Sequence, residues 1–262
     1  MYKGFDLRIT NAKGFDQFLD YGTLLYEDHK SSIHTELDNL FSGDGVISVS
    51  KVKKNWFPSL TANVFISHSH ANSEIAIGLA GWLSEKFEIS AFIDSCVWGY
   101  FSDLQKMIDD RFCKNPNNKP SESNESYEYH ASNRVASHVN TILNNSLMRM
   151  IDECECIIFI NTPESISSKG SAKDEKSTYS PWIYSELEAT RLIRRKAPSR
   201  PALLEKSLEV RAEAMDRSEP NFEYDDVDLS HLTKLKLGDI QKWNRCDKTG
   251  LDALDYLYEH FI

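Results

Sequence analysis

Residues 63–70 read Asn-Val-Phe-Ile-Ser-His-Ser-His, and the fold turns on this stretch. Val64, Phe65 and Ile66 form a short apolar run that breaks at once into small polar residues, as expected of a strand buried on both faces. Asn72 or Ser73 can cap a following helix, with Glu74 in its first turn, where a carboxylate favours the helix dipole. Apolar residues then recur at Ile75, Leu79, Trp82, Leu83 and Phe87, which is helical spacing. Residues 89–93 (ISAFI) make a second short strand ending at Asp94. Residues 63–94 thus read as one β–α–β unit of the size a parallel crossover needs.

Working towards the C-terminus, residues 97–112 (VWGYFSDLQKMIDDRF) read as a loop and a helix, and 114–131 as an exposed polar insertion. A second amphipathic helix carries Val135, Val139, Ile142, Leu143, Leu147, Met150 and Ile151 on one face. It leads into a buried strand, Cys156–Ile160 (CIIFI), that ends in Asn161, Thr162 and Pro163. A second polar loop spans 164–179. Ser180 at the N-cap and Pro181 at the first helical position then start a helix expected to reach about Arg195. Residues 199–221 are charged and unassigned; beyond them come a strand (FEYDDVDL), a mixed segment (HLTKLKLGDIQKWNRC) and a helix (LDALDYLYEHF). Working the other way, residues 1–60 read as a leading extension, with helix-compatible aromatics from Phe15 to Tyr26 and a turn plus short β stretch at Gly43–Val52. Strands alternate with helices across 63–262, so the expected fold is α/β, an open and mostly parallel sheet.

Bulk properties narrow the function. The 262 residues are 40% hydrophobic and 27% charged, an ordinary globular composition. A formal net charge of -10 argues against a nucleic-acid footprint. The basic residues Arg191, Arg194 and Arg195 fit better as cations near a helix C-terminus. The five cysteines follow no zinc spacing; Cys154 and Cys156 read as small core residues, and a reducing compartment is expected. No signal peptide is visible, and no window approaches the roughly 20 apolar residues of a membrane span, so the expected location is the cytoplasm.

In an open parallel sheet, ligands bind beyond the carboxyl ends of the strands. Three such ends are legible, at Ser67–His70, Asp94–Gly99 and Asn161–Pro163. Ser67, His68 and Ser69 either hold a phosphate or ribose near the following helix N-terminus or simply cap and hydrate the loop. His68 and His70 lack the further ligands a zinc site requires, and no metal is expected. No G-x-G-x-x-G follows the strand, which disfavours hydride transfer on a Rossmann fold. Trp98 and Phe101 either anchor a contact or fold back into the core. Trp182 and Glu186 lie four residues apart on one helical face. A ring that stacks on a flat heterocycle, beside a carboxylate facing a sugar carbon, suits cleavage of an N-glycosidic bond, where the anion stabilises developing positive charge. The bland alternative is a core Trp and a solvated Glu.

NVFISHSHAN, AFID followed by WG, CIIFINTPESI and SPWIYSELEAT together resemble the Toll/interleukin-1 receptor (TIR) family, especially its bacterial members. The resemblance covers residues 61–196 well and the C-terminal part loosely; it implies a flavodoxin-like TIR fold over 61–262, with insertions near 114–131 and 164–179 and residues 1–60 as an N-terminal extension. It further implies an enzyme that cleaves NAD⁺ as its substrate and needs no cofactor, with Glu186 catalytic and Trp182, Ser67, His68, Ser69, Asp94 and Trp98 binding the nucleotide. The implied products are nicotinamide and an ADP-ribose derivative, cyclic or conjugated, serving as an alarm signal in Thoeris-like antiphage defence. The implied partners are further copies of the chain in an active homo-oligomer and a downstream effector that reads the signal, with no nucleic acid and no membrane. The runner-up is a non-catalytic TIR scaffold.

Overall fold

The computed structural model describes residues 1–10, 14–37, 47, 49–50, 62–115, 126–168, 176–198, 223–225 and 227–261. In chain order the elements are β1 (Lys3–Arg8), α1 (Leu19–Leu37), β2 (Val64–Ser67), α2 (Ser73–Phe87), β3 (Ala91–Ile93), α3 (Ser95–Phe112) and α4 (Tyr129–Glu153). They continue as β4 (Cys156–Asn161), β5 (Ser167–Ser168), β6 (Lys176–Thr178), α5 (Pro181–Leu192), β7 (Tyr224–Asp225), β8 (Thr233–Lys236), α6 (Leu237–Trp243) and α7 (Gly250–His260).

The central sheet has five strands in the order β3-β2-β4-β1-β8. All four pairings are parallel. This is the expected α/β architecture, and the apolar runs explain it: Val64–Ile66 and Cys156–Ile160 are fully buried because helices cover both faces of the sheet. The chain leaves β2 towards β3 and returns to β4 on the other side of β2. The strand order therefore reverses between β2 and β4, the position where open α/β sheets form ligand crevices.

The leading segment differs from expectation. Lys3–Arg8 is not outside the sheet; it forms β1, hydrogen-bonded between β4 and β8. Phe5 and Leu7 are completely buried there. The segment after it also packs tightly. A Cβ on Gly78 or Gly81 of α2 would fall 2.8 Å from the Phe15 carbonyl oxygen or 2.4 Å from that of Phe18, so only glycine lets the backbones approach this closely. Of the β stretch expected at Gly43–Val52, only residues 47 and 49–50 are described, and 49–50 are helical.

The α2 positions read from the sequence are all buried, and the helix ends with Glu88 in the left-handed conformation at φ 57°. Trp82 and Phe87 meet Trp243 of α6 with ring centroids 5.2 and 4.8 Å apart. A smaller antiparallel sheet, β5-β6-β7, occupies part of the stretch expected as a loop at 164–179, although 169–175 lie outside the described residues. The unassigned stretch 199–221 and residues 116–125 of the expected insertion also lie outside them.

The chain divides into two compact units. The first (Met1–Glu27, Leu60–Asp94, Met148–Ile262) holds both sheets; the second (Asp28–Ser59, Ser95–Leu147) holds α3 and most of α4. Within the second unit the chain after α3 folds back through a bridge between Lys114 and Tyr127, reinforced by a Tyr127 hydroxyl that donates to Asp110 at 2.5 Å. Helix α3 already begins at Ser95, so Trp98 and Phe101, expected in a loop after the second strand, lie within a helix. Among the described residues no helix is long and apolar enough to cross a membrane.

Candidate functional site

Helix α5 starts as its sequence dictates. The Ser180 hydroxyl oxygen accepts the Ile183 N–H at 3.3 Å, and Pro181 takes the first helical position. The helix stops at Leu192, short of Arg195, because Ile193 turns to an extended conformation. Its buried stripe is Ile183, Glu186, Leu187 and Thr190, at i, i+3, i+4 and i+7. Ile183 and Leu187 pack with Phe159 of β4, Ile166, Val227, Leu229 and Leu232. Each of those two side chains contributes about 1.5–3 kcal/mol by leaving water.

Glu186 therefore holds a core position. It is 2% exposed, not the accessible surface carboxylate the sequence suggested. Its Oε2 accepts the Ser67 hydroxyl at 2.6 Å, and its Oε1 accepts no hydrogen bond from the described residues. Ser67 ends β2 and is paired in register with Phe159, which places it on the sheet face that α5 covers. Ile66 pairs with Ile93, so the next step of the same register sets Ser67 beside Asp94, whose N–H reaches the Ile66 carbonyl at 3.4 Å. Asp94 is fully buried and close enough to Glu186 for a carboxyl–carboxylate hydrogen bond. His68 Nδ1 lies 2.6 Å from Asp94 Oδ1, close in distance although off the line of a hydrogen bond. Burial first, and the Asp94 charge second, push the Glu186 carboxyl well above its usual range; the Ser67 hydrogen bond opposes them.

Four of the seven residues expected at the site thus meet: Ser67, His68, Asp94 and Glu186. Ser69 is buried nearby in sequence but turns to a second network, donating to Asn72 Oδ1 at 2.5 Å. Trp182 is half-buried at the border of the α5 stripe. Trp98 lies within α3 rather than a loop, and its side chain is outside the described residues. His70 is exposed. Among the described residues no three His, Cys, Asp or Glu side chains are grouped as metal ligands. The cysteines are free and buried, and burial pushes the Cys154 thiol up to about 12, as suits a core residue.

Two neighbouring features escaped the sequence. Asn72, read only as a cap, is a hub: its Oδ1 also accepts the Thr162 hydroxyl at 2.7 Å, tying the β2–α2 loop to the end of β4. Ser165 closes the turn there by accepting the Thr162 N–H at 2.8 Å. Within β1, the fully buried Asp6 accepts from Asn161 Nδ2 at 2.6 Å and from Arg8 Nε at 3.0 Å. The signal for the first was the polar run Asn161-Thr162-Pro163-Glu164-Ser165; for the second it was the alternation from Phe5 to Ile9.

In comparisons with known proteins, no family model, no curated protein and no solved structure matches the chain.

Proposed function

We propose that the protein cleaves the nicotinamide–ribose bond of NAD⁺, with Glu186 as the catalytic carboxylate. The observation that carries this reading is the Ser67–Glu186 hydrogen bond, which fixes a carboxyl at the sheet's reversal point beside a second buried acid. An anion opposite an oxocarbenium-like centre is worth most in such a water-poor setting. The motifs resembling TIR sequences support the same assignment and its finer parts: release of nicotinamide and an ADP-ribose derivative as a defence signal, an active homo-oligomer, an effector that reads the product, and a cytoplasmic location. Trp182, one turn before Glu186, supplies the stacking surface. Because Glu186 is closed to solvent as folded, the resting protein is a closed state that a trigger must open.

The same closure favours one other reading, a scaffold in which Glu186 only ties α5 to β2. Following nicotinamide by chromatography, with and without phage-infected lysate, separates the two. Glu186→Gln should reduce turnover about 10²-fold or more, while Trp182→Ala keeps partial cleavage with weaker binding or altered product. A Glu186→Gln protein that consumes NAD⁺ as fast as the parent removes the catalytic assignment and leaves the scaffold.

A further inference from the structure

The register of the central sheet carries the face under α5 onwards from Ser67 to β1 and β8. Ser67 pairs with Phe159, Phe159 with Asp6 and Asp6 with Lys234, so these four side chains form one row on that face. In the next row along the strands, Asn161 pairs with Arg8, and Arg8 with Lys236. The face is closed near the start of β1 and β8, where Leu232 packs with Ile183 and Leu187 of α5 and leaves no room for a Cβ on Gly4. It is open at the carboxyl ends of these strands, because Arg8, Lys234 and Lys236 are all exposed. Among the described residues neither lysine is ion-paired; Asp239, in the first turn of α6, is engaged by Lys242 at 3.4 Å and by the Lys236 N–H at 3.1 Å. Arg8 is held differently. Its Nε donates to the fully buried Asp6 at 3.0 Å, and the other Asp6 oxygen accepts Asn161 Nδ2 at 2.6 Å. That anchor fixes the stem of a side chain still 46% exposed, and its Nη groups find no partner among the described residues. Exposed lysines alone would only guard β8 as an edge strand. A carboxylate buried within the sheet face to orient an arginine goes beyond edge protection, since burying it has a cost that a surface charge does not need.

We propose that Arg8, Lys234 and Lys236 form an anion-binding shelf that takes the diphosphate of the nucleotide whose ribose is held at Glu186, with Asp6 as the residue that positions Arg8. The charges match. Asp6 offsets Arg8, and the two unpaired lysines leave two positive charges for the two negative charges of a diphosphate, in a chain whose formal net charge is -10. The spacing matches too. Two strand spacings across the sheet and two residues along it set the Arg8 backbone roughly 12 Å from that of Ser67, which binds Glu186. One ribose and the reach of an arginine side chain span that gap. The Arg8 fork can place its Nη donors on phosphate oxygens, while the lysines act as point charges beside it. The shelf lies in the open, so it can hold a diphosphate while Glu186 is still closed to solvent. That the diphosphate belongs to NAD⁺ rests on the reading above; that the shelf takes a diphosphate rests on the sheet.

The test uses the full chain and two readouts. Calorimetric titration with inorganic pyrophosphate at low salt should show binding to the parent. The double variant Lys234→Ser, Lys236→Ser changes only exposed side chains and should bind about 10-fold more weakly, as should Arg8→Gln. Lys86→Ser, near the C-terminal end of α2 at the opposite end of the sheet, should bind as the parent does. Asp6→Asn should weaken binding while Arg8 itself is retained, and even where that variant does not fold the lysine pair decides. In nicotinamide release from NAD⁺, the shelf variants should raise KM about 10-fold and keep kcat, because the shelf holds a part of the ligand that does not react. Pyrophosphate binding that is absent from the parent, or equal in parent and lysine variant, overturns the proposal. NAD⁺ cleavage with the same KM in parent and shelf variants also overturns it, and leaves the NAD⁺ reading intact. A parent that binds pyrophosphate through the shelf but releases no nicotinamide keeps the shelf and removes the NAD⁺ reading.

Discussion

Replacing Glu186 by Gln should stabilise the protein, and the gain should grow as pH rises. Gln keeps the bond from Ser67, presenting its amide oxygen where Oε2 accepts at 2.6 Å, and its N–H₂ can donate to Asp94. What it removes is the need to ionise in a buried position beside another acid. Since the folded protein holds the Glu186 proton to higher pH than an unfolded chain does, the sign follows from linkage. Below the ordinary glutamate range both states are protonated and the full stability is present. As pH rises through that range the unfolded state loses its proton first, and stability falls until pH passes the folded value. Gln has no such slope. An incompletely satisfied buried polar group costs about 1–3 kcal/mol, so the variant should gain roughly that much at neutral pH. For a chain of this size that is about 2–4 °C in Tm per kcal/mol. Thermal and urea unfolding of both proteins across acid to mildly alkaline pH provide the measurement. A variant no more stable than the parent at any pH, or a difference that shrinks as pH rises, refutes the account of Glu186 as a strained acid.

Asn72→Ala removes the acceptor shared by Ser69 and Thr162, leaving the buried Ser69 hydroxyl without it and the Thr162 hydroxyl with its Ser165 contacts alone, so it should cost about 1–3 kcal/mol in urea unfolding; an unchanged midpoint would deny Asn72 its role as a hub. The Thr190 hydroxyl donates to the Leu187 carbonyl at 2.6 Å, so at its 2.6 Å contact with His231 it accepts from Nε2–H, leaving the buried Nδ1 an acceptor without a donor among the described residues. Burial, the largest cause, together with Arg191 and Arg195 lowers the His231 pKa to about 4 against the pull of Asp228, so its stability contribution is complete above the ordinary histidine value of 6.5 and is lost as pH falls towards 4, at most about 3 kcal/mol. His231→Asn should flatten the stability–pH curve in that window, and a curve that keeps the parent's slope would show that another group carries it.

Much of the fold was legible because the deciding signals were local. The apolar runs at 64–66 and 156–160, the helical spacing from Ile75 to Phe87 and the Ser180–Pro181 start each name their element without help from the rest of the chain. β1 was missed because Lys3–Arg8 alternates apolar with polar residues, as a half-wet strand would, whereas Asp6 is in fact buried and satisfied by Asn161, 155 residues away. β8 was blurred for a similar reason: in Thr233–Lys236 only Leu235 is fully buried, and helix α6 follows without a break. At the site, sequence grouped Trp182 with Glu186 because four residues on a helix share a side. Which side faces the sheet is set by Ser67, 119 residues earlier, and the stripe it selects runs through Ile183, Glu186, Leu187 and Thr190 with Trp182 at its edge. Spacing along a helix gives neighbours; only the partner surface gives burial.

The distribution of buried polar groups argues that these positions answer to something besides stability. Ser67, His68, Ser69, Asp94, Thr162 and Ser165 are all buried, and all stand at or just beyond the carboxyl ends of β2 to β4. At the amino ends the buried side chains are those of Met1, Tyr2, Ala62, Ile89 and Cys154, ordinary core chemistry. A sheet under pressure only to fold would fill both ends alike, since an apolar side chain of matching volume at a site such as 186 avoids the cost of burying a carboxyl. Glu186 adds its carboxyl to the polar end from a stripe whose neighbours Ile183 and Leu187 are apolar. Polar groups gathered at one end of a parallel sheet, at the point where its strand order reverses, form the arrangement a ligand needs and a folding core does not. The stability given up there is what the Glu186→Gln experiment measures, and its size sets how strongly the site's function has been held against the fold's preference.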